Sequence, residues 1–216
     1  MFLFDTLTHP LAIAVAAQAK AAGLHVEDAS AYGGIEAALA RLDGPQAVIF
    51  APPRVCEAQG FASALTNPAQ AVAFAAQVRD DTMEFLRNCR AATLAMMPQK
   101  SGHVLALGID DVASRIMGLT ETPMANQMRV AALKSLAKEY GRMGLSYNTV
   151  ICQPSRDLAE PTAWRDRREA MKVYTMRFTP SETAEQAAFC LQVLTGKVPL
   201  NGGVLCLGKG VMEMAA

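Results

Sequence analysis

The sequence predicts an α/β fold, a doubly wound parallel sheet with helices on both faces, in one domain spanning 1–216. Short apolar runs alternate with amphipathic helical stretches along the chain. No hairpin signal joins consecutive apolar runs, so each is connected to the next through a helix. No repeat, low-complexity block or Gly/Ser/Pro linker divides the chain.

Taken in order, Met1–Phe4 is a short strand. Thr8, His9 and Pro10 then start a helix, with Thr8 as the cap and Pro10 in the first turn, where an N–H has no partner. That helix stops at Gly23. Leu24–Val26 is the second strand, Gly33 and Gly34 make a turn, and Ile35–Leu42 is helical. Ala47–Ala51 is a buried strand ended by Pro52 and Pro53. Asp80–Met97 is a long helix with Phe85, Leu86, Cys89, Ala92, Thr93 and Met96 at helical spacing. His103–Leu107 is the next strand, Thr122–Tyr140 a second long helix, and Tyr147–Ile151 the strand after it. The charged stretch Arg156–Arg168, with the single Trp164, reads as a lid-like excursion. Ser181–Val193 is a helix capped by Ser181 or Thr179, and Val204–Leu207 is the last strand.

The composition excludes several classes. With 216 residues and 51% hydrophobic content, the chain can bury a single core. Its 20 Lys+Arg balance 20 Asp+Glu, which gives no basic footprint for nucleic acid or an anionic membrane surface. Five cysteines without a C-x-x-C spacing read as reduced thiols, and no metal site is expected. The apolar stretch Leu11–Ala17 is far shorter than the roughly 20 residues of a membrane span. No Lys or Arg precedes it and Asp5 does, so no secretory leader is expected and the cytoplasm is the expected location.

The stretch Ala125–Pro154 carries a long helix, then Gly141, Gly144 and Leu145, then Asn148, Val150 and Pro154. It resembles the short-chain dehydrogenase/reductase superfamily where that family runs from its catalytic Tyr-x-x-x-Lys helix into the following strand. Gly102–Leu105 is similar to the strand before the family's catalytic serine. Leu194–Gly196 with Asn201–Gly203 is similar to its closing segment. The resemblance implies a Rossmann-like sheet, an NAD(P) site at the first strand–helix turn, and pairing of subunits through the two long helices.

The functional positions then fail one at a time. The family's cofactor glycines fall at Thr6, Pro10 and Ala12, and there is no glycine before Gly23. Its donor-bearing loop after the fourth strand falls on Ala51–Arg54, where Pro52 and Pro53 remove N–H groups. The catalytic Tyr falls at Thr122, the Lys at Asn126, the Ser near Ile109 or Asp110, and the supporting Asn near Asp80. A Thr hydroxyl has no accessible pKa near neutrality, and Asn has no charge with which to depress one. The residues four places after Tyr32, Tyr140, Tyr147 and Tyr174 are Glu36, Gly144, Ile151 and Phe178, so no Tyr-x-x-x-Lys exists. Only about twenty residues separate the strand near Leu24 from Ala47, room for one helix and not for helix, strand and helix. The family's third strand is expected to be missing or vestigial.

Asp110 and Asp111 read either as a new acid/base pair at a strand end or as a solvated turn capping a helix. His9, His25, His103 and Cys152 read as structural, and Arg165, Arg167 and Arg168 as a lid clamp or a solvated face. The long helices carry more apolar rows than one sheet contact needs. Phe85, Cys89, Ala92, Met96, Met128, Ala132 and Leu136 are the expected interface.

The leading expectation is therefore a non-catalytic subunit that holds no cofactor itself. It would stabilise or complete a homologous catalytic dehydrogenase carrying NAD(P), with self-pairing through the same helices as the other mode of association. The alternatives are an active NAD(P)-dependent oxidoreductase relying on Asp110, Asp111 or Thr122, and a small-molecule binding or regulatory protein using the old cleft.

Overall fold

The computed structural model describes residues 1–53, 57–117, 119, 121–155 and 181–208. The strands are β1 (Phe2–Phe4), β2 (Val26–Asp28), β3 (Ala47–Phe50), β4 (Gly102–Ile109), β5 (Leu145–Cys152) and β6 (Val204–Leu207). They form a 6-stranded sheet in the order β2-β1-β3-β4-β5-β6, with every pairing parallel. The register runs Phe2 to Ala47, Ala47 to His103 and His103 to Ser146.

β1, β3 and most of β4 and β5 are buried on both faces, which explains why they read as continuous apolar runs. On one face, Phe2, Phe4, Ile49, Leu105, Leu107 and Val150 join Leu11, Val15 and Ala19 of α1 (Pro10–Ala21) and Cys190, Val193 and Leu194 of the last helix. On the other, Leu3, Val48, Phe50, Val104, Ala106 and Tyr147 meet α2 (Ile35–Leu39) and the two long helices. The predicted doubly wound sheet is present. The chain passes from β2 through a short 3-10 turn and α2 directly into β3, and β2 is the sheet edge. The third strand is absent, as the chain length between these strands required.

Several boundaries differ from the sequence reading, each for a local reason. β2 begins at Val26 and not at Leu24, because Gly23 turns with φ 78° and the Leu24 N–H still donates to Ala19 O at 3.0 Å, closing α1. His9 caps α1 in place of Thr8, its Nδ1 accepting from the Leu11 N–H at 3.1 Å. Two helices went unread: α3 (Glu57–Thr66) and α5 (Asp111–Met117). α4 (Pro68–Met96) starts well before Asp80, with Asn67 capping the Ala69 N–H and Pro68 in the first turn. The first half of α4 is largely exposed and packs against α3, through Phe61 and Phe74 with ring centroids 5.0 Å apart. It therefore lacks the one-sided periodicity by which a buried helix is read. α6 spans Pro123–Tyr140, and α7 (Thr183–Leu194) is capped by Glu182 with Glu185, where Ser181 or Thr179 was expected.

The expected interface needs correction. Phe85, Cys89, Ala92 and Met96 lie in the chain's own core, at 4%, 1%, 0% and 0% exposure, against the sheet. Met128, Ala132 and Leu136 are half-buried at its margin. The outward face of α4 carries Met83, Leu86 and Leu94. Both the sheet-facing and the outward-facing rows of α4 are apolar, so periodicity alone could not assign one to the sheet.

Candidate functional site

Parallel α/β sheets bind ligands beyond the C-terminal ends of their strands, so the chemistry is sought there. At the end of β1 the Asp5 carboxylate accepts N–H bonds from Thr6 at 2.7 Å and Ala51 at 2.8 Å. The Leu7 N–H donates to Asp28 Oδ2 at 3.3 Å, and Asp28 Oδ1 also holds the Ser30 N–H and hydroxyl. Thr6 Oγ1 lies 3.1 Å from Thr8 Oγ1. Pro10 occupies the first turn of α1 without an N–H, and Ala12 is fully buried against the sheet. These are the positions where a dinucleotide pyrophosphate would need open backbone donors and glycine clearance. Pro10 supplies no donor, Ala12 fills the clearance, and the Asp5 carboxylate already holds the Thr6 and Ala51 N–H groups, so these residues do not fit a dinucleotide pyrophosphate. Asp5 was missed in the sequence reading; an acid placed directly after a short buried strand was the available signal.

At the end of β4 the structure brings together most of the positions that the resemblance pointed to. Asp111 Oδ1 accepts the Thr122 N–H at 2.7 Å and Oδ2 accepts Asn126 Nδ2 at 2.8 Å. Asn126 Nδ2 also reaches Ile109 O at 2.9 Å. Asp110 accepts the Ala113 N–H at 2.7 Å, capping α5. Thr122, Asn126, Ile109 and Asp110 thus converge, and Asp111 joins them. Asp80 does not: it is exposed and pairs with Arg79 at 2.9 Å. Asp110 and Asp111 are caps, but buried ones, not the expected solvated turn.

Burial pushes the Asp111 carboxyl above its ordinary value, against the hydrogen bonds from Asn126 and Thr122, with Asp110 and Glu121 adding to the rise. Glu121 pairs with Arg115 at 2.7 Å. Glu57, another residue the sequence reading missed, caps α6 by accepting from the Met124 and Ala125 N–H groups at 2.7 and 2.9 Å. Its carboxyl is also raised, chiefly by burial. A general acid or base must offer a proton or lone pair to substrate. Asp111 directs both its oxygens into the fold, and the Asn126 amide is likewise engaged.

The remaining candidates are structural in their contacts. Cys152 is buried, and its thiol is pushed well up by a hydrogen bond to Cys190 and by burial. His25 pairs with Glu27 at 3.0 Å. Burial lowers the pKa of His103 on β4. Among the described residues no group of His, Cys, Asp and Glu is arranged to hold a metal, and no helix is long and apolar enough to cross a membrane. Arg156–Arg168, including Trp164, Arg165, Arg167 and Arg168, lies outside the described residues.

Solved structures share this architecture. An oxidoreductase of the short-chain dehydrogenase/reductase family from Burkholderia thailandensis matches with a TM-score of 0.63 and 17% identity, over 95% of this chain and 90% of that one. The two chains share one fold, a Rossmann-like all-parallel sheet flanked by helices. A halohydrin dehalogenase, solved with ethyl (2S)-oxiran-2-ylacetate bound, matches with a TM-score of 0.66 and 18% identity over 100% of both chains. The TT0495 protein from Thermus thermophilus matches with a TM-score of 0.63 and 16% identity, over 96% of this chain and 97% of that one. No protein-family model matches the sequence, and no curated protein sequence does.

Proposed function

We propose that this chain is a non-catalytic subunit with the short-chain dehydrogenase/reductase fold, which pairs with a homologous catalytic dehydrogenase or reductase in the cytoplasm and stabilises or completes it. The observation that carries this reading is the first strand–helix turn, where the Asp5 carboxylate holds the Thr6 and Ala51 N–H groups and Pro10 offers none. The inward-turned Asp111–Asn126–Thr122 cluster supports it, since the positions of proton transfer hold helix caps. NAD(P) belongs, in this reading, to the partner.

The surface for pairing is the outward face of α4, where Met83, Leu86 and Leu94 recur at helical spacing and are 51%, 41% and 50% exposed. The half-buried row Met128, Ala132 and Leu136 borders it on α6. The test is co-expression with a dehydrogenase encoded beside this chain that retains the glycine motif and Tyr-x-x-x-Lys. The two are expected to co-elute at fixed stoichiometry, and Leu86→Asp with Leu94→Asp should abolish the complex while leaving this chain folded. Separate elution, with the dehydrogenase fully active alone, would contradict the proposal.

A further inference from the structure

Beside the start of α2, where the chain arrives from β2 through the 3-10 turn, lies a cavity of about 490 Å³, within the size range of small-molecule sites. α4, α6 and the ends of β1 and β3 enclose it, and Phe50, Phe85, Met124 and Met128 supply apolar wall. Its charged groups fall into two kinds. Asp5 and Glu57 are engaged by backbone N–H groups. Asp81 and Glu84, one turn apart on α4, accept no hydrogen bond from any described residue.

Arg129 of α6 also lines the cavity. Its Nη1 donates to Ala51 O at 2.6 Å, and the guanidinium sits over the Phe85 ring, 5.1 Å from the centroid. Among the described residues Nε and Nη2 donate no hydrogen bond and no salt bridge is formed; the Asp5 charge, and after it that of Asp81, act on the guanidinium from a distance. A guanidinium offers five N–H donors, and among the described residues only Nη1 of this one makes a hydrogen bond. Arg129 and Asp81 still sense one another: burial raises the Asp81 carboxyl, Glu84 adds to the rise, and the Arg129 charge opposes it. A cation and a pair of carboxylates thus border one apolar-walled space without touching.

A simple anion would meet Arg129 but also the Asp81 and Glu84 carboxylates, and a simple cation would leave the free Arg129 donors without an acceptor. A molecule carrying both charges satisfies each. We propose that this cavity binds a zwitterionic small molecule of the α-amino acid class, with its carboxylate on Arg129, its ammonium on Asp81 and Glu84, and an apolar side chain against Phe50, Phe85 and Met128. The proposal is independent of the subunit role, since it concerns a different ligand from the dinucleotide.

The test is calorimetric titration of the full chain at neutral pH with L-phenylalanine, L-leucine and L-methionine, beside 3-phenylpropionate and 2-phenylethylamine. At least one amino acid is expected to bind saturably. If it is L-phenylalanine, each singly charged analogue should bind about tenfold or more weakly. Arg129→Gln should abolish amino-acid binding. Because Arg129 packs into the interior, a second variant, Asp81→Asn with Glu84→Gln, is read alongside it on exposed positions. That variant should weaken amino-acid binding about tenfold and leave 3-phenylpropionate unchanged or tighter. No saturable amino-acid binding at millimolar concentration, equal affinity for either singly charged analogue, or unchanged binding in the double variant would overturn the proposal.

Discussion

Replacing Asp111 by alanine is expected to lower the unfolding free energy by about 2–4 kcal/mol, measured by urea denaturation of the purified chain. The size follows from what the carboxylate holds. It accepts the Thr122 N–H at the start of α6 and the Asn126 amide within it, both buried. Alanine leaves the Thr122 donor without an acceptor and Asn126 with Ile109 O alone. The same residue produces a pH dependence. Its folded carboxyl is raised, so its contribution is fully present below the ordinary carboxylate pKa of about 3.9 and is lost as pH rises through the folded value. Compared with Asp111→Asn, which does not titrate, the wild type should therefore gain stability as pH falls toward about 4. If Asp111 were instead an exposed catalytic acid, the alanine variant would cost little stability.

Phe85→Ala should cost about 3–5 kcal/mol in the isolated chain, the range for emptying a large aromatic from a core. Phe85 is 4% exposed, meets Phe50 edge-on with centroids 4.7 Å apart, and supports the Arg129 guanidinium on its face. This variant separates the core assignment from the interface reading made from periodicity. A core residue is felt in the unfolding curve of the single chain at any protein concentration. An interface residue would leave that curve unchanged and alter only association, the effect expected of Leu86→Asp.

How much of this was legible in the sequence depends on whether one element or several must be seen together. β3 and β4 were legible because a strand buried on both faces writes a continuous apolar run. The missing third strand was legible because chain length bounds what fits between two strands. The first half of α4 was not, since a largely exposed, Ala-rich helix carries little one-sided pattern. At the site, Thr122, Asn126 and Ile109 were placed together by resemblance, and they do converge. Glu57 was invisible as a site residue because it acts on backbone donors 67 and 68 residues away, and Asp5 left only the trace of an acid directly after a short buried strand. Arg129 reads as one more charge on a helix until the cavity beside it is seen.

The central claim is that the first strand–helix turn has lost its dinucleotide site because the Asp5 carboxylate holds the Thr6 and Ala51 N–H groups and Pro10 offers none. Titration of the purified chain with NADH and NADPH, followed by nicotinamide fluorescence and calorimetry, tests this most directly. No saturable binding is expected up to millimolar cofactor. Binding of either dinucleotide at micromolar concentration would contradict it.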